Sequence, residues 1–465
     1  MNDRQNSKGR TAGHPRWTLV TSVLASSLSF VDGSVLNVAL PAIRAGYHAG
    51  AADVQWVVNA YLLPLSALLL LGGALGDHYG RKLWLVIGTA LFGAASLVCA
   101  LSPSLEVLLA ARGVQGIGAA LLLPNSLAVL NASFEGEARG RAIGIWAAAS
   151  AIAAAIAPLI GGWLVSNVGW PAIFYINLPL AAGAIVLALR FVAESRDRSA
   201  GRTDYGGAVL VTLGLGGLTY ALTRWSSSAS FDAIVAIVVV AGAVFLVAFV
   251  AVEQRRRDKA MIPLAMFADR CFAGLNLLTF LLYGAFGASM LLIPYSLITS
   301  AHYSPVEAGL ALMPISILLA GASPAMGALA VRIGPRLPLT IGPLVVGAGL
   351  LLGLRIDVAA PYWTAVLPAV VVLACGMAIA VAPLTASVLG AVKPQHTGMA
   401  SGFNSAVARG GGLIATALLG AVLRQEGAAL IGGFHQALIA SAVVCVGAST
   451  IALTMLGRVK MKNAA

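Results

Sequence analysis

The chain is expected to fold as an all-α integral membrane protein with fourteen transmembrane helices and both termini cytoplasmic. Three observations carry that expectation. Of its 465 residues, 59% are hydrophobic and 10% are charged, whereas a soluble domain carries about 25% charged residues. So few charges cannot cover a water-facing surface of this size. The apolar runs are also continuous, reaching the ~20 residues a helix needs to cross ~30 Å of hydrocarbon. They lack the roughly 10-residue alternation of a membrane barrel. Finally, the basic residues alternate between sparse and dense loops, as a polytopic protein requires.

In chain order, the first span, 17–40, follows the basic tail MNDRQNSKGRTAGHPR. This run is too long for a signal-peptide core and no small-residue cleavage site follows it. The next spans are 54–75, 83–101 and 105–130. The three-residue link Ser102-Pro103-Ser104 forces the third and fourth to be antiparallel neighbours. The fifth to eighth are 141–165, 171–190, 206–223 and 231–252, and the last six are 272–299, 306–331, 338–356, 362–389, 399–423 and 435–457. With the N-terminus inside, 23 of the 29 Lys and Arg fall on the inner side. Four (Arg44, Arg224, Arg355 and Arg424) fall outside, and Arg112 and Arg409 lie within spans. An even number of spans preserves this alternation. The net charge of +12 is therefore accounted for by the positive-inside rule, and nucleic-acid binding is not invoked.

Two long polar inner loops, AESRDRSAGRTD (193–204) and EQRRRDKAMIPLAMFADR (253–270), bracket two spans. The expected organisation is a cytoplasmic tail (1–16), a six-helix bundle (17–193), an inner loop with two extra helices (194–258), a second six-helix bundle (259–457) and a second tail (458–465). GGALGDHYGRKLWL (72–85) follows the second span, and GALAVRIGPRLPLT (327–340) follows the second span of the last six. This echo suggests duplicated six-helix units, the architecture in which a transport site lies at the midplane between repeats.

The sequence resembles the major facilitator superfamily, and within it the fourteen-span drug:proton antiporter branch. The loop pattern G-x-L-a-D-r-x-G-r-k is present as Gly73, Leu75, Asp77, Gly80, Arg81 and Lys82. The first-span pattern appears as DGSVLNVALP, with Asp32, Ser34, Asn37, Ala39, Leu40 and Pro41. The fourth-span pattern appears as Arg112, Gln115, Gly116, Gly118, Ala119 and Ala120. The fifth-span antiporter pattern is degenerate: Gly144, Ala153, Ala157, Pro158, Gly161 and Gly162, with Ala at two Gly positions. WPAIFYINLP (170–179) carries Pro171 where the family has Arg, and Val331 stands where the first-half loop has Asp77. The resemblance implies the major facilitator fold, a 6 + 2 + 6 layout, and a conformational latch at Gly73, Asp77, Gly80, Arg81 and Lys82. It also implies close helix packing at Gly144, Pro158, Gly161 and Gly162.

Asp32 is about 9 residues, or ~13 Å, from the outer end of its span, and Arg112 about 7 residues, or ~11 Å, from the outer end of the fourth. Opposite charges at equal depth offset a cost of at least ~2.5 kcal/mol for each charge in hydrocarbon. An acid buried beside a cation, with water access that alternates, is suited to take up and release a proton. Asp32 and Arg112 are therefore the expected proton-coupling pair. Asp32, Asn37, Asn59, Tyr61, Asn125 and Asn276 are the candidate substrate contacts, with Tyr283 and Asn404 as further polar residues within spans. Arg409 is expected to snorkel toward the cytoplasm. A single deep carboxylate favours neutral or monocationic cargo.

No G-x-x-x-x-G-K-[ST] or H-E-x-x-H is present, so neither an ATP-binding loop nor a zinc-protease site is expected. The six His and four Cys show no metal-ligand or disulfide spacing. No cofactor or metal is expected, and the chain is not expected to be an enzyme. The leading expectation is a monomeric, multi-pass transporter of the inner (cytoplasmic) membrane, exporting lipophilic drugs against inward proton flow. A proton-coupled carrier of one metabolite or natural product, and a non-transporting membrane sensor, stay open as alternatives.

Overall fold

The computed structural model describes residues 14–196, 204–228, 230–256, 264–359, 361–392 and 397–456. The two expected tails, apart from His14 to Arg16, and half of the basic residues in the two long inner loops lie outside this set. The described residues form helices and contain no strand. The long helices are α1 (Pro15–Gly46), α2 (Ala51–Tyr79), α3 (Arg81–Ala100), α4 (Leu105–Ser133) and α5 (Gly136–Asn167). Then come α6 (Ala172–Phe191), α7 (Tyr205–Ser228), α8 (Ala233–Arg256), α9 (Arg270–Thr299) and α10 (Pro305–Ile333). The chain ends with α11 (Arg336–Leu352), α12 (Leu367–Gly390), α13 (Thr397–Ala417) and α14 (Gly427–Met455). Among the described residues, thirteen helices are long and apolar enough to cross a membrane. The remaining helix, α13, is 21 residues long but rich in Gly, Ser and Thr, because it packs among other helices and has little lipid to face.

Several boundaries differ from expectation for identifiable reasons. α1 runs through Pro41 to Gly46. A proline removes one hydrogen bond and favours a kink, which a long helix held by neighbours tolerates. This extension puts Asp32 near the middle of α1. α6 is interrupted at Ile176, between Ala172–Tyr175 and Asn177–Phe191. α14 starts at Gly427, eight residues before the expected 435, and the segment 418–426 forms a short turn instead of extending α13.

Helix contacts repeat along the chain. In the first part α1 packs on α5 and α6, α2 on α4, and α3 on α4 and α6. In the last part α9 packs on α13 and α14, α10 on α12, and α11 on α12 and α14. Each pair in the first set has a counterpart eight helices later. The two sets meet through reciprocal crossings, α2 with α13 and α5 with α10. The α7–α8 hairpin packs on α2 and α13. Its turn is closed by Arg224, which donates to Asp232 Oδ2 from Nε (3.0 Å) and Nη2 (2.6 Å).

The crossings are close because small residues line them. A Cβ on Gly72 would lie 2.1 Å from the Ala120 carbonyl oxygen, and one on Gly116 would lie 2.3 Å from that of Tyr61. These positions let α2 and α4 pack backbone to backbone. At α5–α10, a Cβ on Gly162 would lie 2.4 Å from the Pro305 carbonyl oxygen, and one on Gly309 would lie 2.3 Å from that of Pro158. Gly161 abuts Val35 on α1. Gly144 was expected to share this role, but a Cβ there would meet nothing within 4 Å. The end of α5 that carries Gly144 has no helix against that face.

Candidate functional site

α1, α3, α4 and α6 converge on Asp32, which is 3% exposed. Arg112 Nη1 donates to Asp32 Oδ2 at 2.6 Å, with the Arg side chain fully buried. Gln115, one turn further along α4, donates from Nε2 to Asp32 Oδ1 (2.8 Å) and to Ser96 Oγ (2.9 Å). Asn177 reaches the same two acceptors from the break in α6, at 3.5 and 3.3 Å. Every donor faces the carboxylate, so the arrangement fits its ionised form.

Two of those donors have other acceptors. Arg112 also donates from Nη1 to Gln115 Oε1 (2.6 Å) and from Nε to the Val57 carbonyl (3.1 Å). Its guanidinium lies 4.4 Å from the Tyr61 ring centroid and 5.9 Å from that of Phe174, a cation–π arrangement that partly offsets its desolvation. Protonation of Asp32 therefore leaves Arg112 with Gln115 and Val57, and Gln115 with Ser96. The network can lose one charge without stranding every partner, an important property where an unpaired buried charge is costly.

Beside this network lies a central cavity of ≈ 380 Å³, lined from both helix sets. Of the expected substrate contacts, Asn37 and Tyr61 line it. Asp32 does not; Arg112 stands on the wall in its place. Asn59 is fully buried away from the cavity. Asn125 ties α4 to α2, donating to the Gly72 carbonyl at 2.9 Å, and Asn276 accepts from Asn404 at 3.2 Å, joining α9 to α13. These two hold helices together, and the helix faces that carry them do not point at the cavity. Tyr283 and Arg409 do line it. Arg409 therefore corrects the snorkelling expectation. Gly411 lets α13 lie on α9, since a Cβ there would come only 2.4 Å from the Phe280 carbonyl oxygen. That contact helps fix which face of α13 turns inward.

Asp32 is not the only well-buried acid. Asp204 (3% exposed) and Glu253 (1% exposed) are covered at one end of the α7–α8 hairpin. Asp204 caps α7 by accepting from Gly207 N at 2.7 Å and pairs with Arg256. Both sit at helix ends, as their sequence positions imply, and remote from the cavity.

In the loop 73–82, Asp77 lies in the last turn of α2 and accepts from Arg81 Nε at 2.8 Å. The α3 N-terminus is served by Glu194, which accepts from Lys82 N (3.0 Å) and Leu83 N (3.1 Å). Arg81 N donates to the Ser195 carbonyl at 3.0 Å. Helix N-termini leave such donors unsatisfied and favour an anion. Gly80 has φ +134°, and a Cβ there would lie 2.8 Å from the Glu194 carboxyl carbon. Gly73 makes only an ordinary contact, 3.5 Å to Pro124 Cβ. Gly80→Ala is thus expected to cost ~1–3 kcal/mol, and Gly73→Ala far less; thermal unfolding of the two variants compares them. Glu194→Gln should weaken the cap by roughly 0.3–1 kcal/mol, read as a lowered unfolding temperature that high salt largely erases.

An all-helical membrane protein with two matching sets of helices around a central cavity is built as a solute carrier. The model of the Major Facilitator Superfamily matches residues 22–252 and 275–464. The chain belongs to that superfamily: it is a multi-pass membrane transporter of small molecules, not an enzyme. Multidrug resistance protein Stp of Mycobacterium tuberculosis (strain CDC 1551 / Oshkosh) is 35% identical over 411 residues, 87% of this chain and 75% of that protein. The puromycin resistance protein pur8 of Streptomyces alboniger is 34% identical over 411 residues, covering 87% and 81%. The tetracenomycin C resistance and export protein of Streptomyces glaucescens is 29% identical over 420 residues, covering 89% and 77%. A crystal structure of a POT family transporter with a thioalcohol-conjugated peptide superposes with TM-score 0.67 at 16% identity, over 93% of this chain and 95% of that one. A bacterial homologue of the human lysosomal transporter Spinster, inward-facing and unoccupied, gives 0.62 at 18% identity, over 95% and 98%. These solved structures share the fold.

Proposed function

We propose that the protein is a proton-driven exporter of lipophilic antibiotics, working by alternating access in the cytoplasmic membrane as a monomer. Its chain crosses the membrane fourteen times, six plus two plus six, with both tails inside. The domains follow the boundaries given by the two polar loops, 17–193, 194–258 and 259–457. Asp32 carries the proton and Arg112 sets its affinity. One observation carries this reading: a buried carboxylate held by Arg112 at 2.6 Å, with that Arg forming part of the wall of the central cavity. Cargo in the cavity and a proton on Asp32 both act on the same guanidinium, so the two binding events are linked through Arg112.

In this orientation the ends of α1, α9 and the start of α14 are outside. There Arg44 donates to Tyr295 Oη (2.6 Å) and to Glu426 Oε1 (3.3 Å). Together with the α5–α10 crossing, these contacts close the outer end. Asp77 and Arg81 belong to the inner side, where their pairing favours one conformer. Asp77→Asn is expected to slow turnover several-fold while leaving equilibrium substrate binding within about twofold. A parallel loss of binding would remove the latch role.

The decisive experiment imposes a pH gradient on proteoliposomes and follows puromycin and tetracenomycin C, cargo classes taken from the names of relatives. Gradient-dependent movement supports the reading; movement indifferent to the gradient, or none, overturns it. Resistance profiling of producing cells separates broad drug export from carriage of one compound.

A further inference from the structure

We propose that the central cavity is built to hold a lipophilic organic anion, a carboxylate or ionised phenol, with Arg409 as its counter-ion. The inference rests on the transporter reading and narrows its cargo. Counting carboxylates in the sequence pointed to cationic or neutral compounds, but the cavity wall carries a different balance. Among its lining residues there is no Asp or Glu, and there are two Arg. Arg112 is neutralised from behind by Asp32. Arg409, in the second half of α13, makes no salt bridge or hydrogen bond to any described residue. The wall therefore presents one uncompensated positive charge.

A guanidinium in a low-dielectric enclosure is costly to leave without an anion, and its planar fork matches a carboxylate well. Tyr283, on the facing helix α9, adds a hydroxyl that has no hydrogen-bond partner among the described residues. Around them Phe286, Met290 and Leu312 supply apolar wall. The cavity thus offers one cationic anchor and one neutral donor in a mostly apolar enclosure. That pattern fixes an amphipathic acid by its charged end and buries its ring system. A cationic compound would meet Arg409 without an available carboxylate, since both Asp32 oxygens are already engaged.

Charge bookkeeping gives an independent readout. Exchange of one outgoing monoanion for one incoming proton carries two positive charges inward per cycle; a neutral cargo carries one, and a monocation none. Export of the anion is then accelerated by an inside-negative potential.

The test uses the purified full-length protein and two xanthene dyes of opposite charge, fluorescein and rhodamine 6G. Binding is read by fluorescence polarisation, and movement in proteoliposomes under separately imposed pH and potassium-diffusion gradients. Fluorescein should bind at least tenfold more tightly than rhodamine 6G. Arg409→Gln should weaken fluorescein binding by at least tenfold, and Arg409→Lys should restore most of it. An unchanged unfolding temperature shows that the variants are folded. Tighter binding of rhodamine 6G, binding of neither dye, or fluorescein binding indifferent to Arg409→Gln would overturn the proposal. Arg409-dependent binding of fluorescein without gradient-driven movement would uphold the anion site and defeat the proton-driven export reading instead.

Discussion

Asp32→Asn is expected to reduce pH-gradient-driven uphill export to the level of protein-free vesicles. Asparagine preserves the shape of the side chain and one acceptor, but it holds no exchangeable proton. The substitution also removes the counter-charge 2.6 Å from Arg112, and breaking a buried pair from one side costs about 3–5 kcal/mol. Part of that cost is offset here, because Arg112 keeps Gln115 Oε1, the Val57 carbonyl and the Tyr61 ring. The variant is therefore expected to fold. Substrate-for-substrate exchange across vesicles without a gradient needs no proton turnover and should persist. Uphill export that survives in Asp32→Asn would rule out this carboxylate as the coupling group.

The second large effect is expected at the α5–α10 crossing. Gly162→Val and Gly309→Val each drive a branched side chain against a backbone carbonyl, Pro305 and Pro158 respectively. A backbone carbonyl inside a packed helix cannot swing aside as a flexible side chain can. Overpacking of this kind costs roughly 1–3 kcal/mol. The strain exists only while the outer end is shut, so it acts on the balance between conformers: each ~1.4 kcal/mol shifts their ratio tenfold. Turnover should fall at least tenfold in both variants, and a cysteine placed on the cavity wall should become more reactive to impermeant reagents from outside. Gly144→Val provides the contrast, because open space lies over it, and its activity should stay near that of the parent. Equal losses at all three positions would mean that helix propensity, not the crossing, is at fault.

The sequence made the helical class, the positions of most long helices and the partnership of Asp32 with Arg112 readable because each is a one-dimensional property. Span length follows from bilayer thickness, and opposite charges at similar depth can be paired from their distances to helix ends. Which face of a helix points where depends on contacts between distant segments. Asn37 and Asn125 are both polar residues in apolar spans, yet one meets the cavity and the other bonds to α2. Only the seating of α4 on α2 decides this. Arg409 turned inward because Gly411, two residues on, packs closely on α9. The signal was present in Gly410, Gly411 and Gly412, but its direction was not. Glu194 caps α3 from 112 residues away, and nothing local announces that. Asn177 could have been suspected as a polar residue inside the apolar sixth span. The break at Ile176 that delivers it to Ser96 and Asp32 shows only in three dimensions.

The α7–α8 hairpin has a consequence for how an oily molecule meets this protein. It leans on α2 and α13, and Ser226 of α7 and Gln55 of α2 both bond to the Ala417 carbonyl at the end of α13. One flank of the seam between the two helix sets is thus covered by α7, with α8 packed on α7, while the other, along α5 and α10, has no such cover among the described residues. A hydrophobic compound dissolved in the bilayer finds the same groove in two unlike settings: one shuttered, the other bare to the acyl chains. A carrier with twofold internal symmetry has in this way acquired a front and a back.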